Sequence, residues 1–156
     1  MSNECKSGSC LCGAVKYEFD KTNLISAHHC HCIDCQKSTG SGKATILILP
    51  SQALQVEGEL QFYTATAESG RHVSRGFCGK CGSGLLSFIE EMPAVRFVKA
   101  GTLDDSSWLK IDSNFYSSSA YSWSPIDEDI PSFTHNPDKV WTEEEGILEI
   151  WNLLCP

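Results

Sequence analysis

Long apolar runs and clusters of basic residues are both absent from this 156-residue sequence. A membrane-spanning helix needs about 18 or more consecutive apolar residues, and no stretch reaches that length. Residues 1–12 are polar and lack the apolar core of a secretory signal. We therefore expect a protein without a membrane span and with a cytoplasmic location.

Positive charge is also scarce, with 12 Lys and Arg against 20 Asp and Glu and a formal net charge of −8. The basic residues are scattered along the chain rather than grouped. Nonspecific binding of nucleic acid depends on neutralising phosphates with Lys and Arg side chains. The charge balance therefore argues against a nucleic acid as partner.

Short alternating segments dominate the first three quarters of the chain. Gly, Ser, Pro and Asp cluster between these segments, as turns require. The predicted strands cover residues 14–19, 44–49, 60–64, 72–77, 85–89, 95–99 and, with a weaker pattern, 110–116. Many short strands at this spacing predict a mainly β domain with antiparallel pairing.

The C-terminal segment has a different pattern. Thr142 and Glu145 have the spacing of a capping box, and apolar residues follow at helical spacing as far as Leu154. We predict a helix over residues 142–154, preceded by an irregular loop over 125–138. The chain is predicted to be a single domain, 1–156, with its core over residues 7–137 and a helical extension over 138–156.

The number of cysteines, nine, is high for a chain of this length. In a secreted protein an odd number would indicate disulfides and one leftover thiol, but no secretory signal is present and a reducing compartment disfavours disulfides. Metal binding therefore explains the cysteine content better than disulfides do. The cysteines form three groups, Cys10-x-Cys12, Cys30-x-Cys32-x-x-Cys35 and Cys78-x-x-Cys81, with Cys5 and Cys155 near the two ends.

The seven cysteines in these groups exceed the four ligands that one tetrahedral zinc ion needs. The natural division is therefore four cysteines for one metal site and three for another. The first and last groups are pairs followed by glycine, which lets the backbone turn so that N–H groups face sulfur. Together they would form a closed structural site. The middle group, which we call the triplet, has the three ligands of a zinc site that keeps one position for water or substrate.

Two other interpretations of the triplet stay open at this point. It could recruit a fourth protein ligand and become purely structural, the nearby choices being His28, His29, His31 and Cys5. Alternatively, Cys32 and Cys35 have the spacing of a redox pair.

Four motifs stand out along the chain: GSCLCGAVKY at 8–17, HCHCIDCQKSTGS at 29–41, FCGKCG at 77–82 and GTLDD at 101–105. With these motifs the sequence resembles the glutathione-dependent formaldehyde-activating enzyme family, which also includes the centromere protein V domain. The resemblance covers residues 7–137. It implies a β-tent fold of antiparallel sheets around a structural zinc.

The resemblance also implies two zinc ions per chain. A structural ion would be bound by Cys10, Cys12, Cys78 and Cys81, and a catalytic ion by Cys30, Cys32 and Cys35. The implied activity is that of a carbon–sulfur lyase, joining formaldehyde and glutathione reversibly as S-hydroxymethylglutathione. The chain departs from the family where Gln36 replaces a basic residue and where 114–116 replaces a histidine–aromatic segment.

The favoured mechanism is thiol transfer, because three thiolates donate much charge and weaken zinc as a Lewis acid. Lys37 and Ser41 follow the triplet and are predicted to meet a substrate carboxylate or oxyanion. Other candidates are His29 and His31 as proton carriers, and Tyr116, Tyr121 and Trp123 as pocket walls. The alternative function is a binding module, with both zinc ions structural and a protein or thiol as partner.

Overall fold

The computed structural model describes residues 4–135. Its strands are β1 Cys5–Ser9, β2 Lys16–Asp20, β3 Ser26–Cys30, β4 Ala44–Pro50, β5 Gln55–Glu57, β6 Leu60–Thr66, β7 His72–Cys78, β8 Gly84–Ile89, β9 Val95–Lys99 and β10 Ser113–Phe115. One α-helix, α1 Ile33–Thr39, lies between β3 and β4. Short 3₁₀ turns cover Lys21–Asn23, Ser51–Ala53, Ala100–Thr102 and Ser117–Ser119.

Two sheets make up the fold. The larger has seven strands in the order β10-β3-β4-β9-β8-β7-β6, and the smaller has the order β1-β2-β5. The prediction of a mainly β domain is confirmed. Antiparallel pairing holds for every named pair except β10 and β3, which run parallel.

The two faces of the large sheet have different roles, because successive side chains of a strand point to opposite sides. Leu47, Leu49 and Val98 lie in the main core, together with Val15 and buried aromatic residues of β2. Their sequence neighbours on β4 and β9 belong to other clusters, away from this core. The side chains on the second face therefore lie outside the main core and can line a binding site.

The alternating segments predicted at 44–49, 60–64, 72–77, 85–89 and 95–99 all correspond to strands. Strands β1, β3 and β5 and helix α1 were not predicted. The β3 sequence SAHHC offers no apolar alternation, yet His28 is fully buried in it. Its ring nitrogens lie 2.7 Å from the hydroxyls of Ser26 and Ser113, which satisfy the buried polar ring.

The predicted C-terminal helix lies outside the described residues, as does the end of the predicted loop. Between residues 4 and 135, no helix is long and apolar enough to cross a membrane.

Candidate metal centres and substrate cavity

Four cysteines from distant parts of the chain meet as predicted. The sulfurs of Cys10, Cys12, Cys78 and Cys81 all lie within 4.8 Å of one another. Cys12 Sγ is 3.7 Å from Cys10 Sγ and 3.8 Å from Cys78 Sγ. Zn–S bonds of about 2.3 Å in a tetrahedron separate the sulfurs by about 3.8 Å. The four side chains therefore fit a zinc ion.

Tight turns position these cysteines. Gly13 and Gly82, which follow the two pairs, have φ values of 77° and 78°, a left-handed region that glycine adopts without strain. Gly13 N–H donates to the Cys10 carbonyl and Gly82 N–H to the Cys78 carbonyl, at 3.1 and 2.8 Å. The turn also lets Val15 N–H donate to Cys10 Sγ at 3.3 Å. This arrangement agrees with the role predicted for the glycines.

Ser83 supports the same site and was not predicted. Its hydroxyl lies 3.2 Å from Cys81 Sγ and accepts a hydrogen bond from Leu11 N–H at 3.0 Å. Hydrogen bonds from the Ser83 hydroxyl and then its backbone N–H lower the pKa of Cys81 to about 5. Ser83 therefore favours the thiolate and joins the two turns.

The triplet forms a second, separate group. Cys30 ends β3, Cys32 is the N-cap of α1, and Cys35 lies in the first turn of α1. Their sulfurs lie within 4.8 Å of one another, and Cys35 N–H donates to Cys32 Sγ at 3.3 Å. Across residues 4–135, no histidine, carboxylate or further cysteine joins this group. The donor set therefore fits a zinc ion with one open position.

The protonation of the triplet is strongly coupled. Hydrogen bonding with Cys32 and then Cys35 raises the pKa of Cys30 well above its usual value. Hydrogen bonds from Cys30 and Cys32, followed by the positive charges of Lys99 and Arg75, lower the pKa of Cys35. The group thus holds one thiolate readily, and a divalent ion would replace the remaining protons.

The nearby histidines are not additional ligands. Both nitrogens of His28 are held by hydroxyls, and burial, followed by the charge of His29, lowers its pKa to about 3. His29 Nδ1 lies 2.8 Å from Thr45 Oγ1, and burial, followed by the charge of Lys43, lowers its pKa to about 4. His31 is fully buried. None of the three histidines lines the cavity beside the triplet.

A cavity of about 170 Å³ lies beside the triplet. All three cysteines line it, so the open side of the site faces this space. Its floor is the second face of the large sheet. The apolar floor residues are Ile46, Ile48, Val73, Ile89, Phe97 and Phe115.

Basic residues from two strands also reach the cavity. Arg75 on β7 and Lys99 on β9 line it, and Arg75 Nη2 lies 4.0 Å from Asp34 Oδ2 on α1. Both basic residues also line an adjoining groove of about 650 Å³, together with Lys43. The described lining of this groove contains no carboxylate, so it is suited to an anionic group.

Tyr116 lines the cavity with an unusual backbone. Its φ of 56° is left-handed, which costs a bulky residue about 1–3 kcal/mol. Its ring packs against His135, with 6.0 Å between the ring centroids. Burial, followed by the charges of Cys30 and Cys32, raises its pKa to about 12, so its hydroxyl is a hydrogen-bond donor at neutral pH.

The predicted substrate residues Lys37 and Ser41 are exposed and do not line the cavity. Tyr121 and Trp123 are also exposed and stack on each other, with 5.2 Å between their centroids. Of the three aromatic residues predicted to form pocket walls, only Tyr116 does so among the cavity's described residues.

The sequence model of the glutathione-dependent formaldehyde-activating enzyme family matches residues 5–119. The chain belongs to this family. A curated protein of Halomonas elongata, which is named as a glutathione-dependent formaldehyde-activating enzyme, is 31% identical over 101 residues, which is 62% of this chain and 64% of the relative. The chain therefore matches a little under two thirds of that relative's length.

A solved structure shares the fold of this family member. The crystal structure of a Rhodobacter sphaeroides protein matches with a TM-score of 0.52 and 19% identity, covering 81% of this chain and 99% of the other. At that identity the likeness concerns the fold alone.

Gln36, which follows Cys35 in α1, has a structural role. It is buried, and its Nε2 donates to the carbonyl oxygens of His31 and Ser119 at 2.8 and 2.9 Å. The amide thereby joins α1 to the residues just before it and to the 3₁₀ turn after Tyr116. Gln36 holds two walls of the site together.

We expect Gln36→Leu to lower the free energy of unfolding by about 1–3 kcal/mol, because the buried carbonyl of His31 and the partly buried carbonyl of Ser119 lose their donor. The neighbouring exposed variant Lys37→Met should change it by less than about 0.5 kcal/mol. Urea denaturation followed by circular dichroism measures both. Equal stabilities for the two variants would contradict the role given to the Gln36 amide.

Proposed function

We propose that this chain is a zinc-dependent enzyme of the carbon–sulfur lyase type, acting on a glutathione-like thiol and a small aldehyde. The reaction is the formation or breakdown of S-hydroxymethylglutathione. One observation carries the proposal: among residues 4–135 the triplet provides only three ligands, and all three cysteines line a cavity. A purely structural site would instead be closed by a fourth ligand.

A zinc ion held by Cys30, Cys32 and Cys35 would supply a position for the substrate sulfur and lower the pKa of its thiol. The protein surrounds this position with groups suited to the remaining steps. An apolar floor lowers the local dielectric, which would strengthen polar interactions inside the cavity. Arg71, Arg75 and Lys99 place positive charge beside the triplet, and the carboxylates of Asp34 and Glu68 line the same cavity.

The basic groove accounts for recognition of an anionic thiol. Glutathione carries two carboxylates, and Lys43, Arg75 and Lys99 line the groove that adjoins the cavity. A carboxylate in this groove would leave the thiol end of the molecule directed to the triplet. Lys37 and Ser41 stay predictions as further contacts for the substrate.

We assign Tyr116 the role of hydrogen-bond donor to the substrate oxygen. When a thiolate attacks an aldehyde carbon, the carbonyl oxygen gains negative charge and takes up a proton; in the reverse direction the hydroxyl loses that proton. A neutral phenol in the cavity wall can stabilise this charge. The left-handed backbone at Tyr116 supports the assignment, because such strain is concentrated at functional sites.

Tyr116→Phe should therefore lower turnover of the adduct by about tenfold to a hundredfold, while leaving zinc content and melting temperature close to those of the wild type. The exposed Tyr121→Phe serves as the matched control and should leave turnover unchanged. Turnover of Tyr116→Phe equal to that of the control would remove Tyr116 from the mechanism.

The proposed activity can be tested by exchange NMR on mixtures of glutathione and formaldehyde, since the adduct also forms without enzyme. Zinc-loaded protein should increase the exchange rate between free glutathione and its hydroxymethyl adduct, with saturation by glutathione. If glutathione binds with saturation but exchange is not accelerated, the chain is a thiol-binding module. If glutathione shows no saturable binding, it is the wrong thiol.

A further inference from the structure

The cavity beside the triplet is larger and more apolar than formaldehyde requires. Formaldehyde has one carbon atom and no hydrocarbon group. The cavity measures about 170 Å³, and an apolar protein cavity of about 150 Å³ is enough to bind benzene. The space therefore exceeds what a hydroxymethyl group would fill.

The apolar residues of the floor lie next to one another across the sheet, while charged residues such as Glu68, Arg71 and Arg75 form other parts of the lining. Val73 on β7 lies opposite Ile89 on β8, and Ile48 on β4 lies opposite Phe97 on β9. These four side chains belong to strands that are neighbours in the order β4-β9-β8-β7, so they form one patch. The patch lies on the same sheet face as Ile46, which packs in one cluster with Cys30 and Cys35.

We propose that this cavity binds an apolar substituent, up to about the size of a benzene ring, on the aldehyde or thiol that the triplet handles. The substrate would then be an adduct larger than S-hydroxymethylglutathione. This inference rests on the proposed function, because it assigns the reacting sulfur to the triplet. It goes beyond the proposed function by assigning the sheet floor an apolar part of the substrate.

Two probes test the inference on the full zinc-loaded chain. The first is fluorobenzene, which has neither a thiol nor a tripeptide. It should bind with saturation and shift the methyl NMR signals of Ile46 and Ile89. Val73→Phe, which fills the cavity, should weaken this binding at least about tenfold. If that variant does not fold, Ile89→Thr should weaken it in the same direction by making the floor polar.

The second probe is a pair of thioethers, S-benzylglutathione and S-methylglutathione, whose affinities are measured by calorimetry. The benzyl compound should bind at least about tenfold more tightly, since burial of a phenyl ring contributes about that much. The inference is overturned if fluorobenzene leaves the isoleucine methyl signals unchanged, or if both thioethers bind with equal affinity.

Failure of the proposed function gives a different result. If fluorobenzene binds at Ile46 and Ile89 while neither thioether binds, glutathione is the wrong scaffold, and the apolar site is supported for another substrate. If both thioethers bind and S-benzylglutathione binds more tightly, the substrate class is supported whether or not formaldehyde exchange is fast.

Discussion

Cys78→Ser should unfold the protein at physiological temperature. Cys78 is 1% exposed and packs in the main core cluster with Cys10. Its loss would leave three ligands on the structural ion and place a serine hydroxyl among apolar side chains. Zinc binding to four thiolates contributes about 10 kcal/mol or more of folding free energy in small zinc domains, whereas total stability is about 5–15 kcal/mol.

Circular dichroism and metal analysis of the purified variant measure this effect. Cys5→Ser is the matched control, because Cys5 is exposed and lies outside both cysteine groups. It should melt within a few degrees of the wild type. A Cys78→Ser variant that folds like Cys5→Ser would show that the four-cysteine group does not hold the fold together.

Cys32→Ser, the same chemical change at the other site, should abolish turnover and leave the fold intact. Cys32 is partly exposed in the cavity wall and caps α1 through the hydrogen bond from Cys35 N–H. Serine is a favoured N-cap residue, so the helix keeps its first hydrogen bond. The serine hydroxyl is a poor replacement for a thiolate ligand, and we expect turnover to fall at least about a hundredfold.

The control for Cys32→Ser is again Cys5→Ser, which should retain turnover. The melting temperatures of the two variants should agree within a few degrees. Unfolding of Cys32→Ser would show that the triplet has a structural role. Full turnover in the folded variant would show that the triplet takes no part in the reaction.

The three cysteine groups were predictable because each depends on local spacing and a local turn. Closely spaced cysteines such as Cys10 and Cys12, with glycine after them, can bind one ion only through a tight turn, and the turn is observed. The strands at 44–50 and 95–99 were predictable for a similar reason, since alternation and burial leave a direct pattern. Strand β3 leaves no such pattern, because its buried residues include the hydrogen-bonded polar side chains of Ser26 and His28.

The rest of the cavity depends on long-range topology. Arg75, Lys99 and Tyr116 lie far from the triplet in sequence, and the pairing of β10, β3, β4, β9, β8 and β7 brings them to one cavity. Lys37 was chosen for its closeness to Cys35. On a helix, residues two apart do not share a face, which explains why Lys37 is exposed while Cys35 is buried.

The proposed function requires two separate zinc sites, one closed and one open to the cavity. Zinc bound per folded chain, measured by plasma mass spectrometry on the wild type and on Cys32→Ser, tests this most directly. We expect two zinc ions per chain in the wild type and one in the variant. One ion in the wild type, or two in the folded Cys32→Ser variant, would contradict this expectation.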